Sequence, residues 1–274
     1  MSVELPVALI QTNAGPDPDA NVARAAELAE TAARAGAGLV ALPEYLQYRG
    51  PDAGFRASAR PIPGPFTAPF AEIARRHRCW LLVGSLAETS SDPARPYNTS
   101  TLIGPDGEVA ARYRKIHLFD VNVDDGPSDL ESARVTEGET PVIADIDGAL
   151  LGMTICYDLR FPELYRTLVL EGAEILAVPS NFTEQTGRDH WEVLLRARAI
   201  ENGAWVIAPS QIGGPPGQPA YGHSMVIDPW GTVVAEARDE ESIIHAIIDT
   251  DRVASVRRQI PSLANRRPDA YRLG

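Results

Sequence analysis

The chain has 274 residues, of which 44% are hydrophobic and 23% are charged, as expected for a water-soluble protein with a sizeable core. Its formal net charge of −12 argues against nucleic acid and against an anionic membrane surface as partners. The N-terminal segment does not resemble a signal peptide, and no apolar run is long enough to cross a membrane. Cys79 and Cys156 are too few for a disulfide framework. We therefore expect a cytoplasmic protein.

Strand and helix patterns alternate through the first half of the chain. Short apolar runs predict strands at 7–11, 39–43 and 79–88. Apolar residues at helical spacing predict helices at 21–36 and 65–77. The stretch 98–115 reads as a β-hairpin, because the turn sequence PDG separates two strand-like runs.

The second half repeats this order of elements. Strands are predicted at 150–156, 174–181 and 204–211, helices at 161–172 and 189–203, and a hairpin at 221–237. The two halves also resemble each other in sequence, since AGLVALPEY in the first half matches AEILAVPSN in the second. Each half alone would leave one face of its sheet uncovered. The sequence therefore predicts an α/β fold in one domain over 1–274, a four-layer α-β-β-α sandwich with an internal pseudo-two-fold repeat.

Three polar residues follow strand patterns, where neighbouring strands would bring them together. They are Glu44, Lys115 and Cys156. At a strand–helix corner, Cys156 would be exposed and close to the positive end of a helix, which favours the thiolate. A thiolate attacks a carbonyl carbon, a carboxylate transfers protons, and a lysine with the backbone N–H of Tyr157 stabilises an oxyanion. This combination predicts acyl-transfer chemistry.

Each of these residues also has an ordinary structural interpretation. A single cysteine at a strand end is more often a small buried apolar residue, as we expect for Cys79. A glutamate after a strand is commonly a helix cap, and a lysine among arginines is commonly a surface charge. Position along the strands alone therefore leaves the catalytic interpretation open.

The segments around these residues resemble the signatures of a known family. PEY at Glu44, YRKIHLFD at Lys115 and CYDLRFPEL at Cys156 are similar to the three signature segments of the nitrilase superfamily of carbon–nitrogen hydrolases. The resemblance implies a cysteine nucleophile, a glutamate base and a lysine at these three positions. It also implies that Glu131 positions the lysine and the substrate. No metal or other cofactor is expected.

The letters after the nucleophile point to the amidase branch of this superfamily. The chain reads CYD, whereas nitrilases usually read CWE and carbamoyl-amino-acid hydrolases often read CNDRR. The resemblance implies hydrolysis of a small carboxylate-bearing amide, foremost deaminated glutathione, through a thioester. The alternatives are an omega-amidase acting on alpha-ketoglutaramate, an N-carbamoyl amino acid hydrolase, and a catalytically idle binding protein on the same scaffold.

Three further residues are candidates for substrate binding. Arg160 could hold a substrate carboxylate, because a guanidinium binds a carboxylate through two parallel hydrogen bonds. An ion pair of Arg160 with Asp158 or Glu163 is the equally supported alternative. Asn181 and Phe182 follow the strand that mirrors the one before Glu44, so pseudo-symmetry predicts that they face the same pocket.

The helices at 161–172 and 189–203 carry apolar residues on more than one face. One face packs on the sheet, and the other needs a second partner. The resemblance implies that these helices pair across a two-fold axis, so we expect a homodimer or a higher homo-oligomer.

Overall fold

The computed structural model describes residues 3–124, 127–215, 217 and 219–270. The α-helices are α1 (Pro18–Arg34), α2 (Asp52–Ala57), α3 (Ala68–His77), α4 (Pro162–Leu170), α5 (Glu184–Asn202) and α6 (Thr250–Gln259). The strands are β1 (Glu4–Gln11), β2 (Leu39–Ala41), β3 (Trp80–Glu88), β4 (Tyr97–Ile103), β5 (Val109–Arg114), β6 (Asp120–Asn122), β7 (Ser128–Leu130), β8 (Val142–Ile146), β9 (Ala149–Met153), β10 (Ile175–Ala177), β11 (Trp205–Ala208), β12 (Ile212–Gly213), β13 (Ala220–Tyr221), β14 (Met225–Ile227), β15 (Val233–Glu236) and β16 (Ser242–Asp249). Short 3-10 helices cover Glu131–Ala133 and Cys156–Arg160.

Most of the strands belong to two six-stranded sheets. The first has the order β16-β1-β2-β3-β4-β5, and the second has the order β15-β14-β11-β10-β9-β8. Helices α1 and α3 pack on the first sheet, and α4 and α5 pack on the second. The two remaining faces share one apolar core between the sheets. The predicted α-β-β-α sandwich is therefore confirmed.

The internal repeat is visible in the strand pairing. In the first sheet β1, β2 and β3 are parallel, and β4 and β5 continue the sheet antiparallel. In the second sheet β9, β10 and β11 are parallel, and β14 and β15 continue it antiparallel. Each half therefore presents the carboxyl ends of three parallel strands at one edge of the sandwich.

Alternation along β1 shows how the sequence builds these layers. Val7 and Leu9 lie in the core between the two sheets, whereas Ala8 and Ile10 lie in the core beneath α1 and α3. Successive side chains of a strand point to opposite faces, so a strand covered on both sides is apolar throughout. The continuous run VALI is explained by its burial on both faces.

Several boundaries differ from the predictions. The strand predicted at 150–156 ends at Met153, and the helix predicted at 189–203 begins five residues earlier, at Glu184. The segment 119–139 contains the β6–β7 hairpin, which the sequence patterns do not predict. Two edge strands, β8 and β16, were not predicted from the sequence at all.

No helix within the described ranges is long and apolar enough to cross a membrane.

Candidate active site

Cys156 lies in a strained turn three residues beyond the end of β9. It opens the 3-10 helix Cys156–Arg160 with a φ of 47°, a left-handed conformation that is uncommon for a residue with a side chain. Its backbone N–H donates to the carbonyl oxygen of Pro179 at 3.0 Å, which ties the turn to the end of β10. Such strained residues cluster at functional sites, where the surrounding structure holds them.

The Glu44 carboxylate lies beside this turn and is almost completely buried. Its Oε1 accepts hydrogen bonds from Lys115 Nζ and from the amide of Asn98, each at 2.9 Å. Its Oε2 accepts from the backbone N–H of Asn181 at 2.8 Å. The charge of this carboxylate also acts on the Cys156 thiol, whose pKa it helps to raise. The carboxylate is thus fixed between the cysteine and the lysine.

Lys115 is held between two carboxylates. Its Nζ lies 2.9 Å from Glu44 Oε1 and 2.9 Å from Glu131 Oε2. Burial by itself would lower the pKa of Lys115, but the charges of Glu131 and Glu44 outweigh it and keep the pKa well above its ordinary value. The lysine is therefore a permanent cation at neutral pH.

Glu131 has hydrogen-bond partners in addition to Lys115. Besides Lys115, its carboxylate accepts hydrogen bonds from the Tyr45 hydroxyl and from the backbone N–H of Phe119. Burial would raise the pKa of Glu131, but Lys115 and these hydrogen bonds keep it below its usual value. Glu131 therefore stays ionised and fixes the lysine from the side opposite Glu44.

The state of the cysteine differs from the prediction. Cys156 is only 7% exposed, and burial, followed by the charge of Glu44, raises the pKa of its thiol well above the ordinary value. The expectation of an exposed thiol that favours the thiolate is therefore wrong. The resting side chain is a neutral thiol within the field of the Glu44 carboxylate.

A second buried carboxylate, Asp158, joins the lysine segment to the cysteine turn. Asp158 Oδ2 accepts from the Tyr113 hydroxyl at 2.7 Å and from the Ile155 N–H at 2.8 Å. Asp158 Oδ1 accepts from the His117 N–H at 3.1 Å and lies 2.8 Å from His117 Nδ1. Tyr113 and His117 flank Lys115, and Ile155 precedes Cys156. One carboxylate therefore sets the distance between the lysine and the thiol.

These residues form the floor of a cavity of about 1210 Å³. Glu44, Lys115, Glu131 and Cys156 all line it. The predicted substrate contacts Tyr157, Asn181 and Phe182 line it as well. The structure therefore brings seven of the eight predicted site residues to one cavity. Across the described residues, no group of three or more His, Cys, Asp or Glu side chains could hold a metal ion.

Residues 6–258 match the carbon–nitrogen hydrolase family. The chain belongs to this family. Deaminated glutathione amidase of Synechocystis sp. (strain PCC 6803 / GT-S) is 43% identical over 263 residues, which cover 94% of this chain and 97% of that protein. Omega-amidase NIT2 of Homo sapiens is 37% identical over 266 residues, which cover 97% of this chain and 96% of that protein.

A solved structure shows the same fold. Saccharomyces cerevisiae Nit3, a member of branch 10 of the nitrilase superfamily, superposes with a TM-score of 0.86 at 33% identity, covering 96% of this chain and 97% of that one. The protein is therefore an enzyme of the nitrilase superfamily, a hydrolase of carbon–nitrogen bonds other than peptide bonds. The resemblance read from the three sequence segments is confirmed.

Arg160 is the predicted residue that does not line the cavity of this carbon–nitrogen hydrolase. Its guanidinium lies over the rings of Phe182 and Tyr157, at 5.3 and 5.9 Å from their centroids. Its Nη1 lies 3.3 Å from Nδ1 of His190. An ion pair with Asp158 or Glu163, the alternative prediction, is also not formed among the residues described. Arg160 packs behind two cavity-lining aromatic rings.

Sequence reasoning missed three residues that hold the hydrolase site together, namely Tyr45, Asn98 and Asp158. Two signals for them were present. Tyr45 directly follows Glu44, and Asn98 opens the first hairpin, in the repeat that matches the second half. Asp158 was considered only as a partner for Arg160, because its actual partners, Tyr113 and His117, lie more than forty residues earlier in the chain.

Asp158→Asn should weaken both the fold and catalysis. An asparagine would direct an N–H toward groups that already donate, so we expect a loss of about 2–3 kcal/mol in the free energy of unfolding. We expect kcat to fall by about 10²-fold, because Lys115 and Cys156 lose their common support. Thermal unfolding and amidase assays measure both effects. Glu163→Gln, at an exposed position shortly after this turn, is the control and should change neither quantity. If Asp158→Asn also leaves the stability and kcat unchanged, Asp158 does not position Lys115 and Cys156.

Proposed function

We propose that the protein is a cysteine-dependent amidase with Cys156 as nucleophile, Glu44 as general base and acid, and Lys115 as oxyanion stabiliser. The observation that carries this proposal is the position of the Glu44 carboxylate. It lies near enough to the Cys156 thiol to raise the pKa of that group, and it accepts a hydrogen bond from Lys115. A neutral thiol beside a buried carboxylate needs no preformed thiolate, because proton transfer accompanies attack.

In the first half of the reaction, the Cys156 sulfur attacks the amide carbonyl carbon while its proton moves to Glu44. The carbonyl oxygen becomes an oxyanion, held by the Lys115 ammonium and the Tyr157 N–H. That N–H lies in the first turn of a helix, where no intrahelical acceptor is available to it. The C–N bond then breaks, the leaving amine takes the proton from Glu44, and the acyl group remains on sulfur as a thioester.

In the second half, Glu44 takes a proton from a water molecule that attacks the thioester carbon. The same two donors hold the second oxyanion. The C–S bond breaks, the sulfur regains its proton from Glu44, and the acid product leaves. Glu131 keeps the Lys115 ammonium in place in both halves. Asn181 lines the cavity, and its buried Oδ1 has no hydrogen-bond partner among the described residues, so it suits an N–H of the substrate amide.

We propose deaminated glutathione, or a related 2-oxo acid amide, as the substrate. Two features support this: the 43% identity to a deaminated glutathione amidase, and a cavity larger than a small primary amide would fill. Alpha-ketoglutaramate is the second candidate, since NIT2 is an omega-amidase at 37% identity. N-carbamoyl amino acids and a catalytically idle binding protein are the remaining alternatives from the sequence.

The test is a comparison of four assays on one preparation of the protein. Cleavage of deaminated glutathione, ammonia release from alpha-ketoglutaramate, carbon dioxide release from N-carbamoyl amino acids, and ammonia release from nitriles are measured side by side. We expect the first to have the highest kcat/KM. If no amide is cleaved and Cys156 reacts with iodoacetamide no faster than a free thiol, the idle binding protein is the correct interpretation.

We also propose a homodimer formed through α4 and α5. Large apolar side chains are exposed on this face, with Leu170 at 52%, Val193 at 67% and Ile200 at 52%. Trp230, 46% exposed in the β14–β15 turn, belongs to the same half of the protein. Isolated exposed apolar residues are common, but several on one pair of adjacent helices favour a protein partner.

Charging this face should give a monomer. We expect light scattering at micromolar concentration to find a dimer for the native protein and a monomer for the double substitution Val193→Glu with Ile200→Glu. Ile247→Glu, at a residue 62% exposed on β16 in the other sheet, is the matched control and should remain dimeric. A native protein that is monomeric at this concentration would refute the proposed interface.

A single catalytic domain and a cytoplasmic location complete the proposal. The core between the sheets contains residues from both halves of the chain, which supports one folding unit. Cys79 and Cys156 are both free thiols, which suits a reducing compartment.

A further inference from the structure

A closed ring of hydrogen bonds passes through Lys115 and begins and ends at two consecutive residues. Glu44 Oε1 accepts from Lys115 Nζ at 2.9 Å, and Lys115 Nζ also donates to Glu131 Oε2 at 2.9 Å. The ring closes because the Tyr45 hydroxyl donates to Glu131 Oε1, and Tyr45 directly follows Glu44 in the chain. The segment after β2 therefore holds the lysine from both sides, directly through Glu44 and indirectly through Tyr45.

The fold fixes the position of Tyr45 at its backbone and at its ring. Its φ is 55°, in the left-handed region that is uncommon for a residue with a side chain. Its backbone N–H donates to Ser85 Oγ in β3 at 3.0 Å. Its ring meets the ring of Phe55 in α2 edge to face, with the centroids 5.3 Å apart. A strained backbone persists only where its surroundings hold it, so the hydroxyl is directed at Glu131 by the fold itself.

The charges around Glu131 leave it with little support besides Lys115. Burial opposes the ionisation of Glu131, and the one ammonium that contacts it is shared with Glu44. The charge of Arg134 also acts on Glu131, but Arg134 forms two hydrogen bonds with Asp129. Two buried carboxylates therefore depend on one lysine, and uncharged donors must stabilise the remaining negative charge.

The Tyr45 hydroxyl is the foremost of these uncharged donors. Among the hydrogen bonds that lower the pKa of Glu131, the one from Tyr45 contributes most, ahead of the Phe119 N–H. The amide of Asn98 is more distant, at 3.5 Å from Glu131 Oε1. Burial, followed by the charge of Glu131, raises the pKa of Tyr45 well above its ordinary value of 10.0. The hydroxyl therefore keeps its proton and remains a donor at neutral and acidic pH.

We propose that Tyr45 is a positioning residue that keeps Glu131 ionised and thereby sets the acid limit of amide hydrolysis. This inference rests on the proposed amidase function and deepens it, because it assigns a regulator of the same site. A protonated Glu131 no longer attracts the Lys115 ammonium, which then moves toward Glu44. That movement displaces the oxyanion donor and also stabilises the ionised base against proton uptake, so both halves of the reaction slow down.

Tyr45→Phe removes the hydroxyl and keeps the ring. Loss of a donor to an ionised carboxylate raises the pKa of Glu131, so Glu131 takes up its proton at a higher pH. We expect the acid limb of the kcat profile to move up by about one pH unit, and kcat at neutral pH to fall roughly tenfold with KM changed by less than about threefold. The substrate is the amide with the highest kcat/KM in the assays above.

Tyr48→Phe is the matched control. Tyr48 also lines the cavity, but its hydroxyl donates to the backbone carbonyl of Pro51 at 3.1 Å. The acid limb should therefore stay at its native position in Tyr48→Phe. An acid limb that is unmoved in Tyr45→Phe, or that moves equally in both variants, would overturn the role of Tyr45.

A double substitution shows whether Tyr45 acts through Glu131. Glu131→Gln leaves no carboxylate for the hydroxyl to keep ionised, so adding Tyr45→Phe should change kcat by less than about threefold. A tyrosine that merely supports the cavity wall would cost the same factor in both backgrounds. A second tenfold loss in the Glu131→Gln protein would therefore contradict the inference.

Unfolding measured without turnover separates this inference from the proposed function. The hydroxyl stabilises the ionised form of Glu131, so Tyr45→Phe should unfold a few degrees below the native protein at pH 7. This deficit should shrink as the pH falls toward 4, because Glu131 takes up a proton in the folded variant before it does so in the native protein. Any deficit of Tyr48→Phe should not depend on pH. A native protein that cleaves no amide would refute the amidase and leave this comparison valid, whereas a deficit of Tyr45→Phe that is the same at all pH values would overturn the role of Tyr45.

Discussion

Cys156→Ala should abolish amide hydrolysis and leave the protein folded. The substitution removes the only atom that bonds to the acyl group in the proposed reaction, so we expect kcat to fall by about 10⁶-fold, to the level of the assay background. Cys156 is buried, but alanine retains the Cβ and removes a single sulfur atom from the cavity wall. We therefore expect the unfolding temperature to shift by only a few degrees. Ammonia release and thermal unfolding measure the two effects.

The other cysteine of the chain is the matched control. Cys79 lies in the core between α3 and the first sheet, and burial raises the pKa of its thiol to about 11. Cys79 belongs to this helix-facing core, which contains neither Glu44 nor Lys115. The Cys79→Ala protein should therefore keep full activity, even if its stability falls somewhat. Amide hydrolysis that survives in Cys156→Ala, or that disappears in Cys79→Ala, would contradict the assignment of the nucleophile.

The fold was largely predictable because both halves carry strong periodic patterns. The continuous apolar run of β1 and the helical spacing of Val22, Ala25 and Ala29 each follow from burial on known faces. Strand β16 escaped prediction for a physical reason. It is an edge strand with Ile247 largely exposed, so it lacks clean alternation, and its partner β1 lies at the opposite end of the chain. Pattern within a segment does not reveal which distant strand it joins.

The site was predictable as a set of residues but not as an electrostatic state. Glu44, Lys115 and Cys156 follow strand ends, and topology alone brings such positions together. The protonation of Cys156 depends on burial by segments far along the chain, which no local pattern reports. Arg160 failed as a cavity residue for a similar reason. Its direction is set by the rings of Tyr157 and Phe182, and Phe182 comes from another strand end.

Glu44→Gln should be the most damaging change that leaves the nucleophile in place. Glutamine has nearly the same shape but accepts no proton, and the proposed reaction uses Glu44 for thiol activation, for protonation of the amine and for activation of water. We expect kcat to fall by about 10³- to 10⁴-fold, in the upper range for a general acid–base residue. Ammonia release measures the loss. Glu131→Gln is the matched control, because Glu131 also holds Lys115 but is not among the groups that shift the pKa of Cys156.

The pH dependence of thiol alkylation distinguishes a base from a merely structural glutamate. In the native protein and in Glu131→Gln, Glu44 accepts the thiol proton, so iodoacetamide should modify Cys156 at neutral pH. In Glu44→Gln the thiol must ionise unaided. Removal of the glutamate charge lowers the pKa of Cys156 somewhat, but burial, the larger cause, still keeps it above the ordinary value of 9.0. Alkylation of Glu44→Gln should therefore rise only at alkaline pH. An identical profile in all three proteins would show that Glu44 is not the base.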